Sequence, residues 1–175
     1  TGALGYIGTE LCKLYSGFSW KYDVVAIDNR FISERVNELK RRKIKFIQAD
    51  ICNLNEIEIY VKGAEVVHHL AGITDVAYVK KDANPDQDEK IKKVAIEGTE
   101  NVLKSMNDKA TIVFPSTHVV FEGLKKPKTN VDEKEETSTF LAYSSSKVVN
   151  ENQIINSGKN YVIFRLGSVY GFSTD

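Results

Sequence analysis

The chain has 175 residues, with 24 basic and 24 acidic side chains and a formal net charge of zero. This length predicts one domain, and the balanced charge argues against a nucleic acid or an anionic membrane surface as a partner. No apolar run approaches the roughly 18 residues that a membrane span needs. Cys12 and Cys52 are the only cysteines, which excludes a disulfide scaffold and a cysteine-based zinc site and favours a cytoplasmic protein.

Short, nearly continuous apolar runs alternate with amphipathic stretches along the chain. The apolar runs predict parallel strands, covered on both faces, at residues 23–28, 44–49, 65–71, 110–114 and 161–166. The amphipathic stretches predict helices at residues 6–15, 33–42, 56–62, 89–105 and 143–156. This alternation predicts an α/β fold with a Rossmann-like, doubly wound parallel sheet over residues 1–175. The polar stretches 80–93 and 124–138 predict surface loops.

A glycine-rich motif, TGALGYIG, opens the chain. Gly2, Gly5 and Gly8 would let the backbone turn tightly and approach a pyrophosphate, and the free N–H groups at the start of a helix would favour that anion. Three glycines could also form an ordinary turn. Such a motif normally follows a strand, so we expect that the first strand of the sheet is missing from this chain.

An acidic residue, Asp28, ends the next predicted strand, roughly 20 residues after Gly8. A carboxylate at this position would bind the ribose 2′-OH of a dinucleotide and repel a 2′-phosphate. The residue therefore favours NAD over NADP, although the neighbouring Arg30 could accept a phosphate.

Tyr143 and Lys147 are spaced to share one face of a predicted helix. A free tyrosine has a pKa of about 10, but a nearby ammonium and a cationic nicotinamide ring favour the phenolate. Tyr143 could then take a proton from a substrate hydroxyl while a hydride leaves the same carbon. Thr117 follows a predicted strand and could hydrogen-bond the reacting oxygen, or it could simply satisfy the backbone of a turn.

Taken in order, these residues resemble the extended short-chain dehydrogenase/reductases. Within that superfamily the chain resembles the NAD-dependent nucleotide-sugar epimerase/dehydratase family, and in particular UDP-glucose 4-epimerases. The matching stretches are TGALGYIG at the start, DN at 28–29, DI at 50–51, LAG at 70–72, IEGTEN at 96–101, ST at 116–117, YSSSK at 143–147 with Glu151, and RLGSVYG at 165–171.

The resemblance assigns roles to individual residues. It implies that Tyr143, Lys147 and Thr117 are catalytic, and that the substrate contacts Thr117, Tyr143 and Ser168. The residues that it implies for NAD binding are Gly2, Gly5, Tyr6, Ile7, Gly8, Asp28, Asn29, Asp50, Ile51, Leu70, Ala71, Gly72, Ser116, Tyr143 and Lys147. It further implies a substrate-binding portion after residue 171, and a homodimer joined by a four-helix bundle of the helices at 89–105 and 143–156.

The residues after Thr117 bear on the reaction. In 4,6-dehydratases of the family an Asp-Glu pair performs the elimination, but His118-Val119 stands here, and valine transfers no proton. A 4-epimerase needs only the Tyr, Lys and Thr, so we expect NAD-dependent epimerisation of a nucleotide sugar, at C4, through a transient keto sugar. Two alternatives stay open. One is an NAD(P)H-dependent 4-keto-nucleotide-sugar reductase, because the stretch STHVVFEG resembles the corresponding stretch of such reductases. The other is a dinucleotide-binding protein without catalytic activity.

Several positions depart from the family pattern. Ser168 stands where an Asn often helps to hold the substrate, and Ala95 also replaces an Asn. Ser144 replaces the Gly that usually follows the catalytic Tyr, and Glu122 stands where a V-Y-G motif has its Gly.

Two adjacent histidines, His68 and His69, end the third predicted strand. The chain offers them no partners at metal-ligand spacing, so we predict no metal site. Adjacent strand residues face opposite ways, so we expect one histidine to be packed and the other to be hydrogen-bonded near the site.

Overall fold

The computed structural model describes residues 1–74, 84–126 and 128–171. Within these residues five α-helices alternate with five strands. The helices are α1 (Tyr6–Ser16), α2 (Ser33–Arg41), α3 (Leu54–Val61), α4 (Pro85–Ser105) and α5 (Ala142–Ile155). The strands are β1 (Val25–Asp28), β2 (Lys45–Gln48), β3 (Val66–His68), β4 (Thr111–Thr117) and β5 (Asn160–Leu166). A 3-10 helix, His118–Phe121, directly follows β4.

The strands form two parallel sheets, which the first residues of the chain connect. β1 pairs with β2, and β4 lies between β3 and β5. The Thr1 amino group donates to His68 O at 2.8 Å, Leu70 N donates to Thr1 O at 3.2 Å, and Ala3 N donates to Ile27 O at 3.1 Å. Residues 1–3 therefore lie between β1 and β3. The prediction of a Rossmann-like parallel sheet is confirmed.

Two neighbouring residues of β1 show that helices cover both faces of the first sheet. Ala26 packs with Cys12 of α1 and with Val36 of α2, whereas Ile27 belongs to a second, larger core. That core joins α3, α4 and α5 to β3 and β4 through Ile57, Val61, Val67, Val102, Leu103, Ile112, Phe114 and Ile154. Because adjacent strand residues point to opposite faces, the sheet is wound on both sides.

One face of the second sheet is exposed, contrary to the expectation that every strand is covered on both faces. Val66, Val162 and Phe164 are 49%, 40% and 51% exposed, and the parallel register places them on the same face. Helices α4 and α5 pack on the other face, against Ile112 and Phe114. On the exposed face, His68 of β3 is partly covered by the Tyr15 side chain of α1.

Helix α4 begins inside the stretch 80–93, which was predicted to be a loop. Asn84 caps the helix, because its side chain accepts hydrogen bonds from Asp86 N at 3.0 Å and Gln87 N at 3.5 Å. Pro85 occupies the first helical position, where its missing N–H would have had no partner. The loop prediction is therefore wrong from residue 85 onward, and residues 80–83 lie outside the described residues.

Strand β4 runs on to Thr117, beyond the predicted end at residue 114. Pro115 is tolerated there because the pairing with β3 ends at Val113, so its missing N–H removes no bond on that side. The stretch 124–138 contains no helix or strand in its described part, which omits residue 127. None of the described helices is long and apolar enough to cross a bilayer.

Candidate active site

A cavity of about 720 Å³ lies at the carboxyl ends of the strands, where open parallel sheets bind their ligands. The residues that the sequence predicted and that line it together are Gly2, Gly5, Tyr6, Ile7, Gly8, Asp28, Asn29, Asp50, Ile51, Leu70, Ala71, Gly72, Ser116, Thr117, Tyr143 and Lys147. Ser168 does not line the cavity, although its neighbours Gly167 and Val169 do. The roles of these residues remain predictions.

The glycine motif forms a close backbone cradle at the start of α1. Gly2 has a positive φ of 69°, and a Cβ on it would lie 2.6 Å from Ala71 N. A Cβ on Gly8 would lie 2.3 Å from Gly2 O. Gly5 is the N-cap of α1, so the unpaired N–H groups of the first helical turn face the region of the cradle. No larger side chain fits at Gly2 or Gly8 without backbone movement, because each would meet backbone atoms of the neighbouring residues, so these glycines allow close packing of the backbone at the start of α1.

The carboxylate of Asp28 is buried and already accepts hydrogen bonds from other residues of the protein. One oxygen accepts from Leu4 N at 3.0 Å, which ties the glycine motif to β1. The other accepts from Arg30 N at 3.0 Å and from Arg30 Nε at 3.1 Å. The Arg30 side chain is 54% exposed, so it is free to rotate away. A ribose hydroxyl that bonds Asp28 therefore has to displace the guanidinium of Arg30.

Helix α4 supports the loop that follows β2. Asn101 Nδ2 donates to Ile51 O at 2.9 Å. Gly98 lies against the Ile51 side chain, and a Cβ added there would meet Ile51 Cδ1 at 2.3 Å. Asp50, the other predicted residue of this loop, accepts from Cys52 N at 2.9 Å. The stretch IEGTEN thus supports the wall of the cavity, because it holds the loop that carries Asp50 and Ile51.

His69 connects the glycine motif to α4 under the cavity. Its Nδ1 lies 2.9 Å from Thr1 Oγ1, and its Nε2 lies 2.9 Å from Thr99 Oγ1. The ring is 1% exposed, and burial is the main cause that lowers its pKa to about 3. A neutral imidazole, which has one donor and one acceptor, satisfies both hydroxyl groups.

His68 faces the other way, as expected for the neighbouring strand residue. Its Nε2 lies 2.8 Å from the Tyr15 hydroxyl, and burial lowers its pKa as well. Both histidines are thus hydrogen-bonded, and only His69 is fully buried. Within the described part of the chain, no three His, Cys, Asp or Glu side chains are placed to hold a metal ion.

Two hydroxyl groups at the end of β4 face the cavity. Ser116 Oγ is buried and makes no hydrogen bond within the described part of the chain, although the residue lines the cavity. A buried hydroxyl normally has a partner, so Ser116 fits a bound polar ligand. The Thr117 hydroxyl, also buried, accepts from Val119 N at 3.2 Å. That bond fixes the oxygen and leaves its proton to donate elsewhere.

Tyr143 and Lys147 lie one turn apart on α5, as their spacing predicted. Lys147 Nζ lies 5.7 Å from the centroid of the Tyr143 ring and donates to Pro115 O at 2.9 Å. Burial raises the pKa of Tyr143, whereas the sequence analysis expected the Lys147 ammonium to favour the phenolate. Desolvation is the cause of the raised pKa, and the prediction that this ammonium and a cationic nicotinamide ring together favour the phenolate stays a prediction.

Lys147 is held in a largely apolar setting. Its Nζ lies 4.5 Å from the centroid of the Phe114 ring, and burial lowers its pKa to about 8 while the Glu151 carboxylate opposes the change. Glu151 itself makes a bidentate ion pair with Arg165 of β5, at 2.7 Å and 3.1 Å. This pair fixes the middle of α5 against the sheet.

The cavity also contains residues that the sequence analysis did not single out. Gln87, Lys90 and Val94 line it from the first half of α4. Their spacing places them on one helical face. Lys90 and Val94 lie in the helix predicted at 89–105, whereas Gln87 precedes it and could have been found from the Asn84-Pro85 capping signal. Arg35 of α2 also lines the cavity and donates to Leu4 O, next to the glycine motif.

Comparison of sequences identifies relatives of this chain. A family model described as the 3-beta hydroxysteroid dehydrogenase/isomerase family matches residues 1–169. The chain is 30% identical over 105 residues to 3 beta-hydroxysteroid dehydrogenase type 7 of Rattus norvegicus, a match that covers 59% of this chain and 29% of that protein. It is 26% identical over 165 residues to the type 7 protein of Mus musculus, covering 90% of this chain and 43% of that protein.

Comparison of structures identifies a similar fold in sugar-nucleotide enzymes. A crystal structure of UDP-glucuronic acid 4-epimerase from Bacillus cereus in complex with NAD matches with a TM-score of 0.78 and 25% identity. The match covers 97% of this chain and 56% of that one. The chain thus spans less than two thirds of each of these proteins.

We predict that His69 makes the stability of the fold sensitive to acid. Because its pKa falls from 6.5 to about 3 in the folded protein, the unfolded chain binds a proton that the native state does not, and stability is lost as the pH falls below 6.5. The unfolding free energy of wild type, relative to His69→Gln, should fall by about 1.4 kcal/mol per pH unit. Urea denaturation between pH 6.5 and 4.5 measures it, and a pH-independent difference would contradict the prediction.

Proposed function

Because the chain belongs to the 3-beta hydroxysteroid dehydrogenase/isomerase family, we propose that it is the cofactor-binding part of an NAD-dependent enzyme acting on a secondary alcohol. The observation that carries this proposal is the convergence of Tyr143, Lys147 and Thr117 on the cavity that also contains the glycine cradle. A proton acceptor, a fixed cation and a hydroxyl donor thereby share a site with a dinucleotide cradle.

The residues fit NAD in several respects. The start of α1 lines the cavity and offers N–H groups to a pyrophosphate, and the buried Ser116 hydroxyl could hydrogen-bond a polar group of the cofactor. The Bacillus cereus protein, similar over 97% of this chain, was crystallised with NAD. When bound, NAD supplies the acceptor for a hydride.

The protein's own residues would handle the proton and the charge. Thr117, whose oxygen is held by Val119 N, would donate to the substrate oxygen and align it. Tyr143 would take the hydroxyl proton as the carbon loses its hydride. Lys147, held by Pro115 O at 2.9 Å, would stabilise the phenolate form that Tyr143 needs in order to accept this proton. The raised pKa of Tyr143 in the protein alone means that positive charge from a bound cofactor would have to contribute to this step.

We propose a nucleotide sugar as the first candidate substrate, with epimerisation at C4 through a keto intermediate. The similarity to UDP-glucuronic acid 4-epimerase supports it. The reaction needs no further acid or base, which agrees with His118, whose exposed ring lies 3.1 Å from Leu166 O. We also propose that a substrate-binding part follows residue 171 and that the protein forms a homodimer through α4 and α5.

A 3β-hydroxysteroid is the second candidate substrate. The family model over residues 1–169 and the two rodent relatives favour it. The same Tyr143, Lys147 and Thr117 would remove the proton of the ring alcohol while NAD accepts its hydride, and no hydride would return to the substrate. Epimerisation would leave NAD oxidised at the end of the reaction, whereas steroid oxidation would leave NADH. An experiment that measures NADH can therefore distinguish the two candidates.

A substrate panel tests the proposed function. The full-length protein is incubated with NAD and either UDP-sugars or 3β-hydroxysteroids, and in a third arm with a 4-keto nucleotide sugar and NAD(P)H. An isomer formed without net NADH identifies the epimerase, stoichiometric NADH with a steroid identifies the dehydrogenase, and consumption of NAD(P)H in the third arm identifies the keto-sugar reductase. NAD binding with no turnover in any arm would overturn the proposal in favour of a non-catalytic dinucleotide-binding protein.

We predict that Tyr143→Phe lowers turnover by about 10²- to 10⁴-fold, because the variant loses its proton acceptor. NAD affinity should stay near that of wild type, as measured by fluorescence titration. Tyr161→Phe, which removes a hydroxyl from the exposed edge of β5, is the matched control. Unchanged turnover in Tyr143→Phe would remove this residue from its role.

We predict that kcat/KM for NAD declines above about pH 8. The pKa of Lys147 is lowered from 10.5 to about 8, so its ammonium, which would stabilise the phenolate, is lost as the pH rises through that value. The guanidinium in Lys147→Arg stays protonated, so this decline should disappear even if the variant is slower. An identical alkaline decline in both proteins would show that another group titrates.

A further inference from the structure

The first turn of α5 carries Tyr143 but has no capping side chain of its own. Its N-cap is Leu141, which makes no side-chain cap bond. The N–H groups at a helix start need partners, and another element supplies the acceptor for the N-cap N–H and for the N–H that precedes it. Glu122 Oε1 accepts from Phe140 N at 3.0 Å and from Leu141 N at 2.9 Å, and it also accepts from the Ser144 hydroxyl.

Glu122 and Ser144 are two of the positions at which the sequence departs from the pattern that it resembles. Each stands where a glycine is usual, and glycine at either position would abolish their bond. Ser144 is 1% exposed and directly follows Tyr143 in the chain. The two residues that depart from the pattern thus contact each other in the folded protein.

Glu122 is itself fixed to the end of β4. It ends the 3-10 helix that begins after Thr117, and its backbone N donates to Val119 O at 3.1 Å. The next residue, Gly123, donates to Ser138 O at 2.8 Å, and Ser138 N donates to Val120 O at 2.8 Å. A short hydrogen-bonded path therefore leads from Thr117 through Glu122 to the turn that carries Tyr143.

We propose that Glu122 and Ser144 form a clamp that positions Tyr143 relative to Thr117, which makes both of them positioning residues for the reaction. The inference rests on the proposed function, because it takes Tyr143 as the proton acceptor. A carboxylate suits this place, since the partial positive charge of a helix start attracts an anion. The clamp adds to the hydrogen bond from the Ser145 hydroxyl to Thr139 Oγ1, at 3.0 Å, which also holds the first turn of α5.

The test compares variants of the full-length protein on the panel substrate that turns over. Glu122→Ala should lower kcat by about tenfold, the scale of a lost helix cap, with NAD affinity unchanged because the glycine cradle is a separate element. Glu122→Gln should recover most of the rate, since its amide oxygen accepts the same bonds. Ser144→Ala, which removes one bond, should give a smaller loss. Glu136→Ala removes an exposed carboxylate from the same connection and should match wild type.

The decisive measurement repeats Glu122→Ala in the Tyr143→Phe background. If Glu122 acts through Tyr143, the second substitution should leave the residual rate unchanged, whereas a general structural role would lower it again. Full turnover in Glu122→Ala, or a further tenfold loss in the double variant, would overturn the clamp. Full turnover in Tyr143→Phe alone would overturn the proposed function instead, so the two failures are distinguishable.

Discussion

Three backbone hydrogen bonds from residues 1–3 are the constraint on which the rest of the structure depends. They join β1 through Ile27 O and β3 through His68 O and Leu70 N, so that the two sheets lie side by side with their strands parallel. The carboxyl ends of all strands then meet at one edge. The glycine cradle lies there because it continues directly from these residues, and the end of β4 brings Ser116 and Thr117 to the same cavity.

Many residues that match family motifs support the residues of the cavity and do not line the cavity themselves. Thr99 bonds His69, and Asn101 bonds the backbone of Ile51. Glu151 pairs with Arg165 and so ties α5 to β5. These buried polar contacts are costly to leave unsatisfied, so they restrict each supporting element to one arrangement.

Sequence patterns predicted the strands and helices well because each is a local periodicity of apolar residues. The start of α4 was missed for the same reason: residues 85–88 are polar and carry no periodicity, and a cap, Asn84, decides the boundary. The exposed face formed by Val66, Val162 and Phe164 was also missed. A continuous apolar run shows that both faces of a strand are apolar, but not what covers them.

The sequence by itself determined the parallel α/β fold and the glycine motif, because apolar periodicity and glycine spacing are local patterns. Its resemblance to a known family indicated many residues that line the cavity, but it missed those of α4 and included Ser168, which does not line it. Only the tertiary structure decided how those groups are paired and charged. It showed Asp28 bonded to Leu4 and Arg30, Tyr143 with a raised pKa, and Glu122 joined to Ser144. These hydrogen bonds and this pKa depend on burial and on contacts between residues that are distant in the chain. A local sequence pattern predicts neither.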